Sequence, residues 1–147
     1  MINQVKKNWG NEEWLVNNNL YCSKFLNLIK GYQCSVHYHI IKDETFYVLD
    51  GIVSLSVVDL RKYVGIVTPI LSDGEAEFIV ENVKQKKTEI IKGLSTVVLH
   101  KGDQLRLKPF MAHKFTSLTD TAKILEVSTT HYEPDSYRLT ESGPINQ

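Results

Sequence analysis

Residues 31–51 read GYQCSVHYHIIKDETFYVLDG, and this stretch decides the fold. Side chains on a strand alternate between its two faces, so His37 and His39 share one face. Glu44 follows five residues later, after a short turn, where an adjoining strand can aim it at the same point. Asp50-Gly51 then joins ETFYVL to IVSLSVVDL, and Asp-Gly between two such runs is a strong hairpin signal. A third imidazole, His113, lies near the end of KGDQLRLKPFMAHKF, residues 101–115. Three neutral imidazoles and one carboxylate can hold one divalent first-row ion and leave positions open for a ligand. Cys34 lies three residues before His37, which on an undistorted strand turns it to the opposite face. A donor set without sulfur discriminates little among zinc, manganese, iron, nickel and cobalt.

Outward from this stretch, short β-branched and aromatic runs bounded by turn residues read as strands. They include KFLNLI (24–29), AEFIVENV (76–83), TEIIKG (88–93), STVVLHKGD (95–103), QLRLKP (104–109), HKFTSL (113–118) and AKILEVST (122–129). Strands of this length at roughly ten-residue spacing predict an all-β sandwich or barrel with little helix. Helix is expected only in the first fifteen residues, where Asn11 can cap NEEWLV, and near DSYRL (135–139). Residues 61–86 read as a long excursion between strands because Pro69 and Gly74 interrupt the apolar residues. The final GPINQ is expected to fray.

A chain of 147 residues suits one domain, 1–147, with a barrel core over about 20–128. Lysine plus arginine equals aspartate plus glutamate at 17 each, which gives no reason to expect nucleic acid or an anionic membrane as partner. The polar start MINQVKKNWG is unlike a signal peptide, and no apolar run is long enough to span a bilayer. A cytoplasmic location is therefore expected. Cys22 and Cys34 read as small buried residues, His100 and His131 as surface or loop histidines, and Trp9 and Trp14 as core or interface anchors.

With these residues in view, the sequence resembles the cupin superfamily of jelly-roll barrels. Gly31, His37, His39, Glu44 and Gly51 meet every spacing of that family's first motif. Gly102 to His113 keeps the interval of its second, with Pro109 one place late and Phe110 where glycine is usual. More specifically, the chain is similar to the C-terminal cupin domain of bifunctional phosphomannose isomerases and to short stand-alone sugar-isomerase-like cupins. Trp9-Gly10 and Lys24 stand in its opening segment, with asparagine in place of proline. Ser35, His39 and Glu44 match its first motif, and Lys42 stands where the isomerases have arginine. Glu126, Asp135 and Arg138 match its closing segment.

The resemblance implies a metal-dependent isomerase or epimerase of a sugar or sugar phosphate, working as a homodimer. Such chemistry moves a proton between adjacent carbons beside a divalent metal held by His37, His39, Glu44 and His113. Glu126 on a late strand is the candidate proton shuttle. Lys42 is a second catalytic candidate, for a developing oxyanion or as a base. Lys24 and Arg138 are candidate substrate-binding cations, Arg138 for a phosphate. Two other readings suit the same ligands. A ferrous dioxygenase predicts a more apolar pocket, and a non-catalytic sugar- or metabolite-binding cupin predicts binding without turnover.

Overall fold

The short runs pair into two antiparallel sheets in a computed structural model that describes residues 3–66, 68, 70 and 72–145. The strands are β1 (Asn3–Lys7), β2 (Gly10–Asn17), β3 (Cys22–Ile29), β4 (Tyr32–Gln33), β5 (His37–Tyr38), β6 (Glu44–Asp50), β7 (Val53–Asp59), β8 (Ser95–Leu99), β9 (Gln104–Leu107), β10 (Met111–Ser117), β11 (Thr121–Ser128), β12 (Tyr137–Arg138) and β13 (Gly143–Pro144). One sheet runs β1-β2-β3-β11-β6-β9. In the other, β10 pairs along its length with β7, which pairs with β8. The far side of β10 meets β4 and β5, which β13 and β12 extend.

Alternation assigns the two faces. Leu26, Leu28, Phe46, Val48 and Ile124 of the first sheet bury against Val53, Leu55 and Phe115 of the second. Ala112 and Val58, on the opposite face of the second sheet, belong to another apolar cluster with Ile79, Val83 and Ile90. Those last three come from helices α1 (Asp73–Gln85) and α2 (Lys87–Lys92). The second sheet is therefore covered on both sides, which removes the polar alternation expected of a half-exposed sheet.

These helices correct the strand reading of AEFIVENV and TEIIKG; the excursion between strands read over 61–86 holds no strand among the described residues, and α1 fills its second half. Ile79 and Val83 lie one helical turn apart on the buried face, while Phe78 turns outward, 67% exposed. Ser72 caps α1 by accepting the Glu75 N–H. Pro69 lies outside the described residues. Among those residues no helix is long and apolar enough to cross a membrane.

The N-terminus corrects the helix reading of NEEWLV. β1 and β2 form a hairpin whose second strand pairs with β3, Trp14 facing Lys24. Gly10 makes this possible: its φ is +144°, and a Cβ there would stand 1.8 Å from the Asn27 carbonyl oxygen. Gly10→Ala should therefore destabilise the protein by about 1–3 kcal/mol or more, through backbone strain and the clash. The shift of a urea unfolding midpoint measures it, and an unchanged midpoint would sink the close-approach argument. At the other end, DSYRL forms no α-helix. Residues 133–135 make one 3₁₀ turn before β12. Gly143 and Pro144 pair with β4, and the Ile145 N–H donates to the Gly31 carbonyl at 2.9 Å, so this part of GPINQ is tied down. Asn146 and Gln147 lie outside the described residues.

Candidate metal centre and cavity

His37, on β5, sits opposite His113 of β10 in the ladder. His39 follows β5 directly, and Glu44 is the first residue of β6. The ligand atoms of the three histidines lie within 4.8 Å of one another. Glu44 joins them, with Oε2 3.3 Å from His39 Nε2 and Oε1 3.4 Å from His113 Nε2.

The backbone sets which nitrogen of each ring is bare. Nδ1 of His37, His39 and His113 lies 2.8, 2.8 and 2.9 Å from the carbonyls of Ser35, Asp135 and Met111. A carbonyl only accepts, so each Nδ1 carries the hydrogen and each Nε2 presents a lone pair. For His39 and His113 that lone pair faces a carboxylate oxygen across a gap no hydrogen bond spans. Glu44 Oε2 and His113 Nε2 are buried without a hydrogen-bond partner. Facing lone pairs at this separation fit a shared cation, since ligands of one ion at about 2.0–2.2 Å stand close together.

Electrostatics agrees with the donor set. Burial, with the neighbouring imidazoles, holds His37 well below the ordinary histidine range. His39 is lowered to about 4, mainly by burial against the opposing pull of Glu44. Burial alone would raise Glu44, but the Lys42 ammonium counters it and the carboxyl is held well below its usual range. Neutral rings and an ionised carboxylate are the forms that bind metal.

Asp135 fixes the segment after β5. Its carboxylate accepts the backbone N–H groups of Ile40, Ile41 and Lys42 at 2.8–3.2 Å. It is not an ion-pair partner of Arg138. Phe110 supports the same segment by donating its N–H to the His39 carbonyl at 2.8 Å. It does so at φ 68°, the left-handed conformation its family position normally gives to glycine. Its buried ring in the cluster beneath the second sheet accompanies that strain.

His37, His39 and Glu44 open onto a cavity of about 310 Å³ that also receives Lys24, Lys42, Glu126 and Arg138, with His113 buried behind them. Lys42 Nζ lies 2.7 Å from Glu126 Oε2 and 3.5 Å from Glu44 Oε2. Burial alone would lower this lysine, but Glu126 and Glu44 reverse the effect and raise it, so it is a poor base in this environment. Lys24, opposite Glu126 in the ladder, lies 3.9 Å from that carboxylate and 3.5 Å from Glu12, above the Trp14 ring at 4.1 Å. Glu126 makes no hydrogen bond or ion pair to an imidazole. Arg138 is exposed at the lip and, among the described residues, has no ion-pair partner.

The structure adds residues that local reading passes over. His131 lies in the loop after β11, but its side chain is 9% exposed and lines the cavity instead of facing solvent. Glu12 and Trp14 reach the cavity because NEEWLV is a strand. Their two-residue spacing becomes a signal once that strand is known. Trp9 is a core anchor, edge-on to Phe115 at 5.0 Å, and His100 is exposed.

Cys34 is a subtler case. Residues 34–36 carry no strand pairing, so parity fails and Cys34 lines the cavity wall. Its Sγ accepts the Phe115 N–H at 3.3 Å, and burial pushes the thiol up to about 12, leaving no thiolate to bind. Cys34→Ser should therefore leave metal content near the parent's. Loss of metal in that variant, measured by elemental analysis, would place sulfur in the donor set.

A family profile described as D-lyxose isomerase matches residues 5–141. No curated protein matches the sequence. Among solved structures, the capsular polysaccharide assembling protein CapF from Staphylococcus aureus gives a TM-score of 0.66 at 12% identity, covering 95% of this chain and 34% of that one. Oxalate decarboxylase from Bacillus subtilis gives 0.65 at 16%, covering 94% and 30%. L-ribose isomerase from Cellulomonas parahominis gives 0.65 at 17%, covering 87% and 68%. This chain spans about a third of the length of the first two. At these identities the likeness shows the shared cupin barrel, whose members carry different chemistries.

Proposed function

Because the chain belongs to the D-lyxose isomerase family, we propose that it is a metal-dependent isomerase of a monosaccharide or its phosphate. The observation that carries this reading is the buried Glu126 carboxylate, tied to Lys42 at 2.7 Å within the cavity of the histidine cluster. A divalent ion held by His37, His39, Glu44 and His113 would polarise the sugar carbonyl and steady charge on the adjacent oxygens. Glu126 would take the proton from one carbon and return it to the next. Lys42, held protonated by its two carboxylates, would position the Glu126 carboxylate and donate a hydrogen bond to a sugar oxygen. Lys24 is largely neutralised by Glu12 and Glu126, so it positions Glu126 and a hydroxyl group. Arg138, at the lip with Lys6 and Lys7, could meet a distal polar or anionic group.

A volume of about 310 Å³ lies at the small end of the roughly 300–1,000 Å³ usual for ligand pockets, which suits a single sugar. The charged lining favours this reading over an oxygenase, for which an apolar pocket is expected. A homodimer in the cytoplasm is part of the proposal, on symmetry statistics and on two free buried thiols.

The test is proton exchange from heavy water into pentoses, hexoses and their phosphates, with D-lyxose first. Zinc, manganese, iron, nickel and cobalt are supplied in turn. Exchange next to the carbonyl, dependent on metal, is the expected result. Binding without exchange for every sugar would leave a binding module.

A further inference from the structure

An aldose in water is mostly a closed ring, so its carbonyl is masked as a hemiacetal. Before a proton can move between carbons, the anomeric hydroxyl must lose a proton and the ring oxygen must gain one. Glu126 is committed to the carbon-bound proton. Outside the four clustered ligands, the cavity contains one further imidazole among the described residues, His131.

His131 is held as a working acid–base group would be. Its Nε2 lies 3.0 Å from Glu133 Oε1. A carboxylate accepts, so Nε2 carries the hydrogen and Nδ1 is bare. That Nδ1 accepts a hydrogen bond at 3.4 Å from the Lys42 ammonium, which also touches Glu126 and which a sugar hydroxyl would replace at the lone pair. The backbone is clamped by Asn17, which accepts the His131 N–H at 3.0 Å and donates to its carbonyl at 3.1 Å. The ring stands edge-on to Trp14, centroids 5.0 Å apart. Burial, reinforced by Lys42 and Lys24, lowers its pKa, which keeps the ring neutral and able to accept a proton. Glu133 is 85% exposed, so water screens its charge and its main effect is on tautomer and orientation.

We propose that His131, oriented by Glu133, is the ring-opening acid–base group of the cavity and that the protein takes cyclic aldoses as substrates. The role applies if the cavity works as the sugar isomerase proposed above. In this step the anomeric O–H proton passes to Nδ1, and the bond from C1 to the ring oxygen breaks as the C1 carbonyl forms. The ring oxygen then takes that proton from the imidazolium. No charge or redox equivalent is left over, and Glu126 is free for the following transfer.

Ring opening can be read separately from isomerisation, as the interconversion of D-lyxose anomers followed by magnetisation-exchange NMR. The background is metal-loaded Glu126→Gln, which retains the ring-opening group. This protein should accelerate anomer exchange over buffer. Adding His131→Asn should remove at least about tenfold of that acceleration, the low side of general acid–base effects, with metal content and D-lyxose affinity unchanged. Adding Glu133→Gln instead should remove a smaller part. Should His131→Asn fold poorly, His131→Gln replaces it in the same measurement. Equal acceleration with and without His131, or none in the Glu126→Gln protein, overturns the proposal. Failure of the isomerase reading looks different: the parent protein would show no proton exchange at carbon while anomer exchange still depended on His131.

Discussion

Glu126→Gln should lower turnover by roughly 10²–10⁴-fold, the range for losing a general base, while metal content and sugar affinity stay near the parent's. The amide keeps the size of the side chain, and its oxygen can still face the Lys42 ammonium, now 2.7 Å from Oε2. It cannot take a proton from carbon. Lys42 keeps a carboxylate neighbour in Glu44 at 3.5 Å, so the substitution does not strand a buried ammonium. The Nδ1 atoms of the three clustered histidines are held by backbone carbonyls, so the metal has no direct reason to leave. Metal content, sugar affinity and solvent-proton exchange, taken on one preparation, separate the possibilities. Full exchange at full metal occupancy would remove Glu126 from the reaction. Lost metal with intact exchange per bound ion would make it a support for the metal centre instead.

His113→Ala should strip most of the bound metal, and activity with it. The loss should exceed the roughly 10–100-fold expected when only an outer partner of a ligand is changed. His113 sits on the central β10, 1% exposed, with Nε2 3.4 Å from Glu44 Oε1. Its removal leaves a small void but also ends the lone-pair opposition with Glu44, so metal-free stability should change little. The distinguishing sign is thermal. Metal that binds only the folded state raises the parent's Tm by mass action, and a chelator should reverse that gain. The same additions should leave the Tm of His113→Ala almost unmoved, and His39→Ala should behave alike. A variant that binds metal with the parent's affinity would end the ligand assignment.

The candidate metal cluster is legible in the sequence because much of its geometry is local. Two residues on one strand share a face, and a short turn returns Glu44 to the same point. The first follows from a period of two and the second from the shortness of the turn, although Asp135 fixes that turn from the far end of the chain. His113 is harder, since only its place in a second glycine-to-histidine interval marks it. The helices α1 and α2 are misread for a related reason. Phe78, Ile79, Val80 and Val83 are as β-branched and aromatic as a strand, and only burial of Ile79 and Val83 together reveals the helical period.

From the sequence alone come the all-β barrel class, the four metal-competent side chains, and Glu126, Lys24, Lys42 and Arg138 as candidate polar residues. The barrel class and the metal-competent side chains depend on strand periodicity or a short motif, while the four polar candidates rest on the resemblance to sugar-handling cupins. The tertiary structure alone decides that the N-terminal strands enter the first sheet, bringing Glu12 and Trp14 to Lys24. It alone turns the Asp135 carboxylate onto the backbone at residues 40–42 and places His131 beside Lys42. The Asp135 and His131 contacts join segments about 90 residues or more apart, as Asn17 does in clamping His131. No local pattern encodes such a meeting, because it exists only once two sheets have closed around a common core and brought their loops to one rim.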